Sequence, residues 1–93
     1  MYSVIWKYPL LLTDEQTITM PQHAAPLYVD IQGDTLCLWA MVDPKAESVP
    51  QKVHVYGTGN PIDAARSDEY HIGSVQHVLR GQPFVWHVFW VVE

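Results

Sequence analysis

Residues 26–43, PLYVDIQGDTLCLWAMVD, leave a polypeptide few options. Apolar residues recur at every second position on both sides of Gly33-Asp34, the period of a β-strand and not of a helix. A two-residue connection that begins with glycine is hairpin chemistry, because Gly takes the positive φ of a type II′ turn at no steric cost. Folding the run about that turn sets Gln32 opposite Thr35, Ile31 opposite Leu36, Val29 opposite Leu38 and Leu27 opposite Ala40. One face of the pair is then wholly apolar, and the other sets Tyr28 opposite Trp39 and Asp30 opposite Cys37. A slip of one residue would turn every apolar side chain to the wrong face, so pattern and turn specify one register.

The same period runs through most of the chain. YSVIWKY alternates until Pro9, and EQTITM places Ile18 and Met20 opposite Thr17 and Thr19 until Pro21. PQHAAP reads as a loop, and so does KAESVPQ after Asp43-Pro44. KVHVYG is a short strand, and NPIDAARSDE has room for at most one helical turn near residues 61–67. YHIGSVQHVL is a strand in which Gly73 marks a bulge, and Arg80-Gly81-Gln82 is turn material. PFVWHVFWVV is apolar on both faces, so it is expected to be central, covered on both sides or part of a subunit interface. Seven short strands predict an all-β chain, a single antiparallel β-sandwich or small barrel over residues 1–93.

The length of 93 residues suits one domain, and 48% hydrophobic residues can form its core. Ten acidic residues against five basic ones set the net charge at −5. The basic residues are dispersed, which argues against a nucleic-acid partner, since binding to phosphate backbones runs on clustered Lys and Arg. A single cysteine, Cys37, excludes an internal disulfide and a cysteine zinc cage, and fits a reducing compartment such as the cytoplasm. No apolar run approaches the roughly 20 residues of a membrane span. There is no basic, cleavable leader at the N-terminus, so a soluble protein with no membrane partner is expected.

Gly57-Thr58-Gly59-Asn60 is the one loop with ligand-binding character, because the N–H groups of a glycine-rich turn can cradle a small anion. A phosphate loop of the Walker kind needs a lysine that is missing here. A dinucleotide fingerprint needs a third glycine where Ile62 stands. Turn geometry is therefore the leading reading of these residues, and contact with a small anionic ligand the second. The five histidines lack metal-ligand spacing, and a bulge at Gly73 would break the register between His71 and His77, so neither metal nor cofactor is expected. Cys37 opposite a carboxylate reads as an inert thiol. No nucleophile elbow or acid–base pair is present, which predicts a protein that is not an enzyme. Four tryptophans exceed what so small a core encloses easily. Tyr28, Trp39, Trp86 and Trp90, with His87 set between Trp86 and Val88, are the candidate protein-contact residues, since aromatic side chains dominate hot spots.

The segments IWKYPL, DEQTITMP, CLWAMVDP, VYGTGNPI, YHIGSVQ and FVWHVF, in that order, resemble a family of small proteins of unknown function common in tailed-phage and prophage genomes. The likeness runs from Ile5 to Phe89, and WVV after it lengthens the last strand beyond the family pattern. The resemblance implies a phage accessory protein and brings no catalytic or binding residue with it. The leading expectation is a non-enzymatic accessory protein of the host cytoplasm, a homo-oligomer joined through its last strand. It would bind a host protein, in a counter-defence role, or serve as a subunit of a larger assembly. A second reading is a sponge for a nucleotide-like signalling ligand, with Gly57–Asn60 at the phosphates and an aromatic ring on the base. Only Lys52 and Arg66 lie near that loop to help with the charge. A third reading is a minor virion component.

Overall fold

A computed structural model describes residues 3–63 and 68–92. Their alternating sequence forms seven strands: β1 (Val4–Pro9), β2 (Glu15–Pro21), β3 (Ala25–Gln32), β4 (Thr35–Val42), β5 (Ser48–Gly57), β6 (Glu69–Leu79) and β7 (Gln82–Val91). They make two antiparallel sheets, one of order β1-β4-β3 and one of order β2-β5-β7-β6. Leu36, Leu38 and Val29 of the first sheet pack against Val53, Val55 and Val88 of the second in one core, so the domain is a sandwich. Residues 61–63 carry no helix, and the rest of the segment with room for a helical turn, 64–67, lies outside the described residues.

The β3–β4 hairpin pairs Gln32 with Thr35, Ile31 with Leu36, Asp30 with Cys37, Val29 with Leu38 and Tyr28 with Trp39. Two details correct the expectation. Gly33 and Asp34 both have positive φ, 55° and 69°, which is a type I′ turn and not type II′. Beyond Tyr28 the register shifts, so that Pro26 and not Leu27 faces Ala40. Leu27 becomes the extra residue of a bulge and is exposed instead of joining the apolar face.

The second sheet extends further than its loop-like residues suggest, since β5 begins at Ser48 and runs through Pro50. Proline survives there because of parity. Gln22 donates its N–H to Glu47 O at 2.8 Å and Val55 to Asp14 O at 3.3 Å, so odd-numbered β5 residues bond towards β2. The nitrogen of Pro50 thus points the other way, where among the described residues β7 pairs with β5 only from Val53 onward. The nitrogens of Pro9, Pro21 and Pro83 fall, by the same alternation, on sides of their strands where no ladder bond is required.

β7 is interior, with β5 on one side and β6 on the other. Val88 and Trp90 point into the core, while Phe89 on the outer face is flanked by Tyr56 and His71, with ring centroids 5.5 and 5.3 Å away. From Val88 to Val91 the doubly apolar strand is thereby covered on both faces, whereas Phe84 near its start is exposed. In β6 the register against β7 shifts between His71 and Gly73. Gly73 faces the core so closely that a Cβ there would lie 2.8 Å from Val29 Cγ2 of β3.

Candidate functional site

Three places bring chemistry-bearing residues together. The first is the outer face of β1-β4-β3. Ile5 is paired with Met41, and Lys7 with Trp39, which in turn is paired with Tyr28. Alternation turns these side chains away from the core. Ile5 is 60% exposed, Tyr28 56% and Met41 43%. The Tyr28 and Trp39 rings lie 5.8 Å apart, tilted by 44°. Tyr28 donates its hydroxyl to Asp30 Oδ2 at 2.9 Å, and this bond, together with the carboxylate's charge, holds the phenol pKa above its ordinary value. Cys37 shares the face but is buried.

The second place is a cleft of about 430 Å³ where β5 ends, lined by Gly57, Thr58, Asn60, Phe84 and Trp86 among others. The Phe84 and Trp86 rings stack nearly parallel, at 4° and 5.5 Å. Gly57 closes on Trp86, since a Cβ on it would lie 3.3 Å from the indole ring and 3.3 Å from the Asn60 amide. Gly59 has a φ of 92°, the left-handed region that favours glycine. Two N–H groups an anion nest would use are already spent: Thr58 donates to Val85 O at 3.3 Å and Asn60 to Gly57 O at 3.0 Å. The described lining carries no Lys or Arg. The loop thus turns a corner and, with the stacked rings, offers a surface suited to a planar group more than to a phosphate.

The third place is the outer face of β2-β5-β7-β6, which the sequence reading did not assemble. Thr58 Oγ1 meets His87 Nε2 at 2.8 Å, His87 Nδ1 meets Ser74 Oγ at 2.7 Å, and Ser74 Oγ meets His71 Nε2 at 2.8 Å. His71 and Ser74 are three residues apart and would face opposite ways on a regular strand. The bulge at Ile72 restores both to one face. Beside this chain, His54 Nδ1 pairs with the Glu69 carboxylate, and the Tyr56 hydroxyl sits 3.0 Å from His54 Nδ1 and 3.2 Å from Glu69 Oε2. His54 and Tyr56 are buried despite facing outward. A serine between two imidazoles can pass a proton, but the described side-chain partners of His87 are two hydroxyls, not a carboxylate that would orient it as a base. Among the described residues no group of three or more His, Cys, Asp or Glu is arranged to hold a metal.

The five candidate contact residues therefore part company. Tyr28 and Trp39 share the outer face of the smaller sheet. Trp90 is core, at 6% exposure. Trp86 lines the cleft and donates its indole N–H to His77 Nδ1 at 3.2 Å. His87 lies on the opposite face of β7, bonded to Thr58 and Ser74.

Fold and surfaces define a small two-sheet β-sandwich with an exposed aromatic face and a polar one. The chain belongs to the family described as a domain of unknown function (DUF7352), whose model matches residues 1–93. No curated protein and no solved structure matches it. No helix of the described residues is long and apolar enough to cross a membrane.

Proposed function

We propose that this is a non-enzymatic accessory protein of phage or prophage origin that acts in the host cytoplasm by binding another protein, a host protein or a subunit of a larger assembly. One observation carries this reading: Ile5, Met41, Trp39 and Tyr28 form adjoining rows on the solvent side of a sheet whose other side is the core. A sheet face left to solvent normally carries polar side chains. Contiguous apolar surface rimmed by polar groups, here Lys7 and Asp30, marks a contact site. Rigid aromatic rings are also the residues that carry most energy at such sites. The test is a photo-crosslinking residue placed at Tyr28 or, as control, at Gln76 of the other sheet, in host cells. The expected result is one protein captured from position 28 only and lost with Met41→Asp. Equal capture from both positions, or capture indifferent to Met41→Asp, overturns the reading.

A sponge for a nucleotide-like ligand is the second reading, supported by the stacked Phe84 and Trp86 beside Asn60. A base stacked on Phe84 would gain what aromatic contact offers any planar group. Native mass spectrometry of freshly purified protein tests it. A retained nucleotide mass that disappears with Phe84→Ala supports the sponge. An apo mass, with tryptophan fluorescence unmoved by adenosine monophosphate, removes it.

A further inference from the structure

β1 is an edge strand whose free side can be read from parity. Leu10 donates its N–H to Leu36 O at 2.8 Å, in the same register that pairs Tyr8 with Leu38, Trp6 with Ala40 and Val4 with Val42. These even-numbered residues therefore bond to β4, and the N–H and C=O groups of Ile5 and Lys7 point to the open side, where no strand is paired among the described residues. Side chains are exposed on both faces of this strand: Ile5 on the outer face and Trp6, 42% exposed, on the inner. Proteins usually blunt such an edge with charge or proline. Here Lys7 is drawn back over its own sheet, donating from Nζ to Gln32 Oε1 at 2.6 Å, and Pro9 stands only at the strand's end. VIWKYP contains no carboxylate, so the net charge of −5 resides elsewhere in the chain. The other edges differ. β3 and β6 lie against each other, as the approach of Val29 to Gly73 shows, and β2 exposes Glu15, Thr17 and Thr19. β7 is paired on both sides from Trp86 to Trp90, and the side of its first residues that faces past the end of β5 carries Pro83, which has no N–H to donate.

The geometry points to β1 as a self-pairing edge: two copies of this chain join their β1 strands antiparallel about a two-fold axis normal to the sheet, giving one continuous sheet of order β3-β4-β1-β1-β4-β3. Such an axis keeps each face on its own side, so residues directly opposite must be both odd or both even. Setting Lys7 opposite Lys7 would oppose like charges and place Ile5 against Pro9, which has no N–H. Setting Ile5 opposite Ile5 would leave Tyr8 and Pro9 beyond the paired length. The register that uses most of the strand, Val4 to Tyr8, with only Pro9 beyond it, sets Trp6 opposite Trp6, Ile5 opposite Lys7 of the second copy and Val4 opposite Tyr8. Ile5 and Lys7 then exchange ladder bonds in both directions. The two Trp6 residues form the close, non-hydrogen-bonded pair, where cross-strand side chains approach most nearly. The pairing is independent of what docks on the outer face of β1-β4-β3, although it would join the two copies' faces into one surface.

Charge variants of the full chain, read by native mass spectrometry and light scattering, test strand and register together. Wild type is expected to be dimeric. Ile5→Lys sets lysine against Lys7 of the second copy and should give a monomer, whereas Ile5→Glu sets an acid there and should keep the dimer. Trp6→Cys should form a covalent dimer on mild oxidation, while Ile5→Cys, and wild type with its buried Cys37, should not. Circular dichroism of each variant separates loss of the dimer from loss of the fold. A folded wild type that stays monomeric overturns the inference, and so do equal effects of Ile5→Lys and Ile5→Glu or crosslinking at Ile5→Cys in place of Trp6→Cys.

Discussion

Trp86 decides the chemistry of His77. An indole N–H can only donate, so its 3.2 Å bond makes His77 Nδ1 the acceptor and leaves the ring proton on Nε2. That N–H is buried with no hydrogen-bond partner among the described residues, and Asp34 Oδ1 lies 3.7 Å away. Nitrogen-15 NMR of the imidazole should therefore show a single Nε2–H tautomer at neutral pH, and Trp86→Phe should release it to a mixture. Tyr8 poses a related question, for its hydroxyl is buried without a partner among the described residues and burial pushes the phenol pKa up. The fold favours the protonated phenol, so this contribution is complete below the ordinary value of 10.0 and is lost as the pH climbs past it. Tyr8→Phe should leave stability at neutral pH unchanged or raise it by up to about 1 kcal/mol. The variant should also lose less stability than wild type in melts at about pH 10.5. At Gly59 the left-handed φ predicts that alanine costs about 1 kcal/mol, measured by denaturant unfolding. If the loop only turns the chain, ligand binding elsewhere would be untouched.

At the scale of the element, the bulge in β6 controls two faces at once. Ile72 is the extra residue, and its insertion turns His71 and Ser74 outward together while Gly73 faces Val29. A methyl group on Gly73 would meet a buried, β-branched side chain that has little freedom to move. Gly73→Ala should destabilise the domain by about 1–3 kcal/mol. Combined with Val29→Ala it should cost less than the sum of the two single changes, a coupling of about 0.5–3 kcal/mol measurable in a double-mutant cycle. The hairpin around Gly33-Asp34 was legible because its information is local: alternation and a two-residue turn act within a few residues of each other. Its turn type was less legible. Asp34 tolerates positive φ, and this makes type I′ available to a Gly-Asp pair as readily as type II′. The extension of β5 through Pro50 was hidden for another reason. Proline blocks a strand only where a neighbour needs its N–H, and the identity of the neighbour is a tertiary fact.

At the scale of the whole molecule, four tryptophans take different roles on two thin layers. Trp90 lies in the core between the sheets, so Trp90→Ala should cost about 3–5 kcal/mol, a large share of the about 5–15 kcal/mol that holds a domain folded. Trp39 stands on the outer face, and Trp39→Ala should cost less than about 1 kcal/mol in the same thermal melts. That contrast separates residues kept for folding from residues free to serve a partner. By itself the sequence determined the all-β class, the place of most strands, the hairpin register from the turn to the Tyr28–Trp39 pair and the neighbourhood of the β6 bulge, because period, turn chemistry and glycine act over a few neighbouring residues. Only the tertiary structure decided which strands became neighbours. It brought Thr58 to His87 across 29 positions and Glu69 to His54 across 15. It also enclosed β7 and left β1 at an edge. Those outcomes rest on long-range burial and on the hydrogen-bond parity of each ladder, and neither is expressed in any single stretch of the chain.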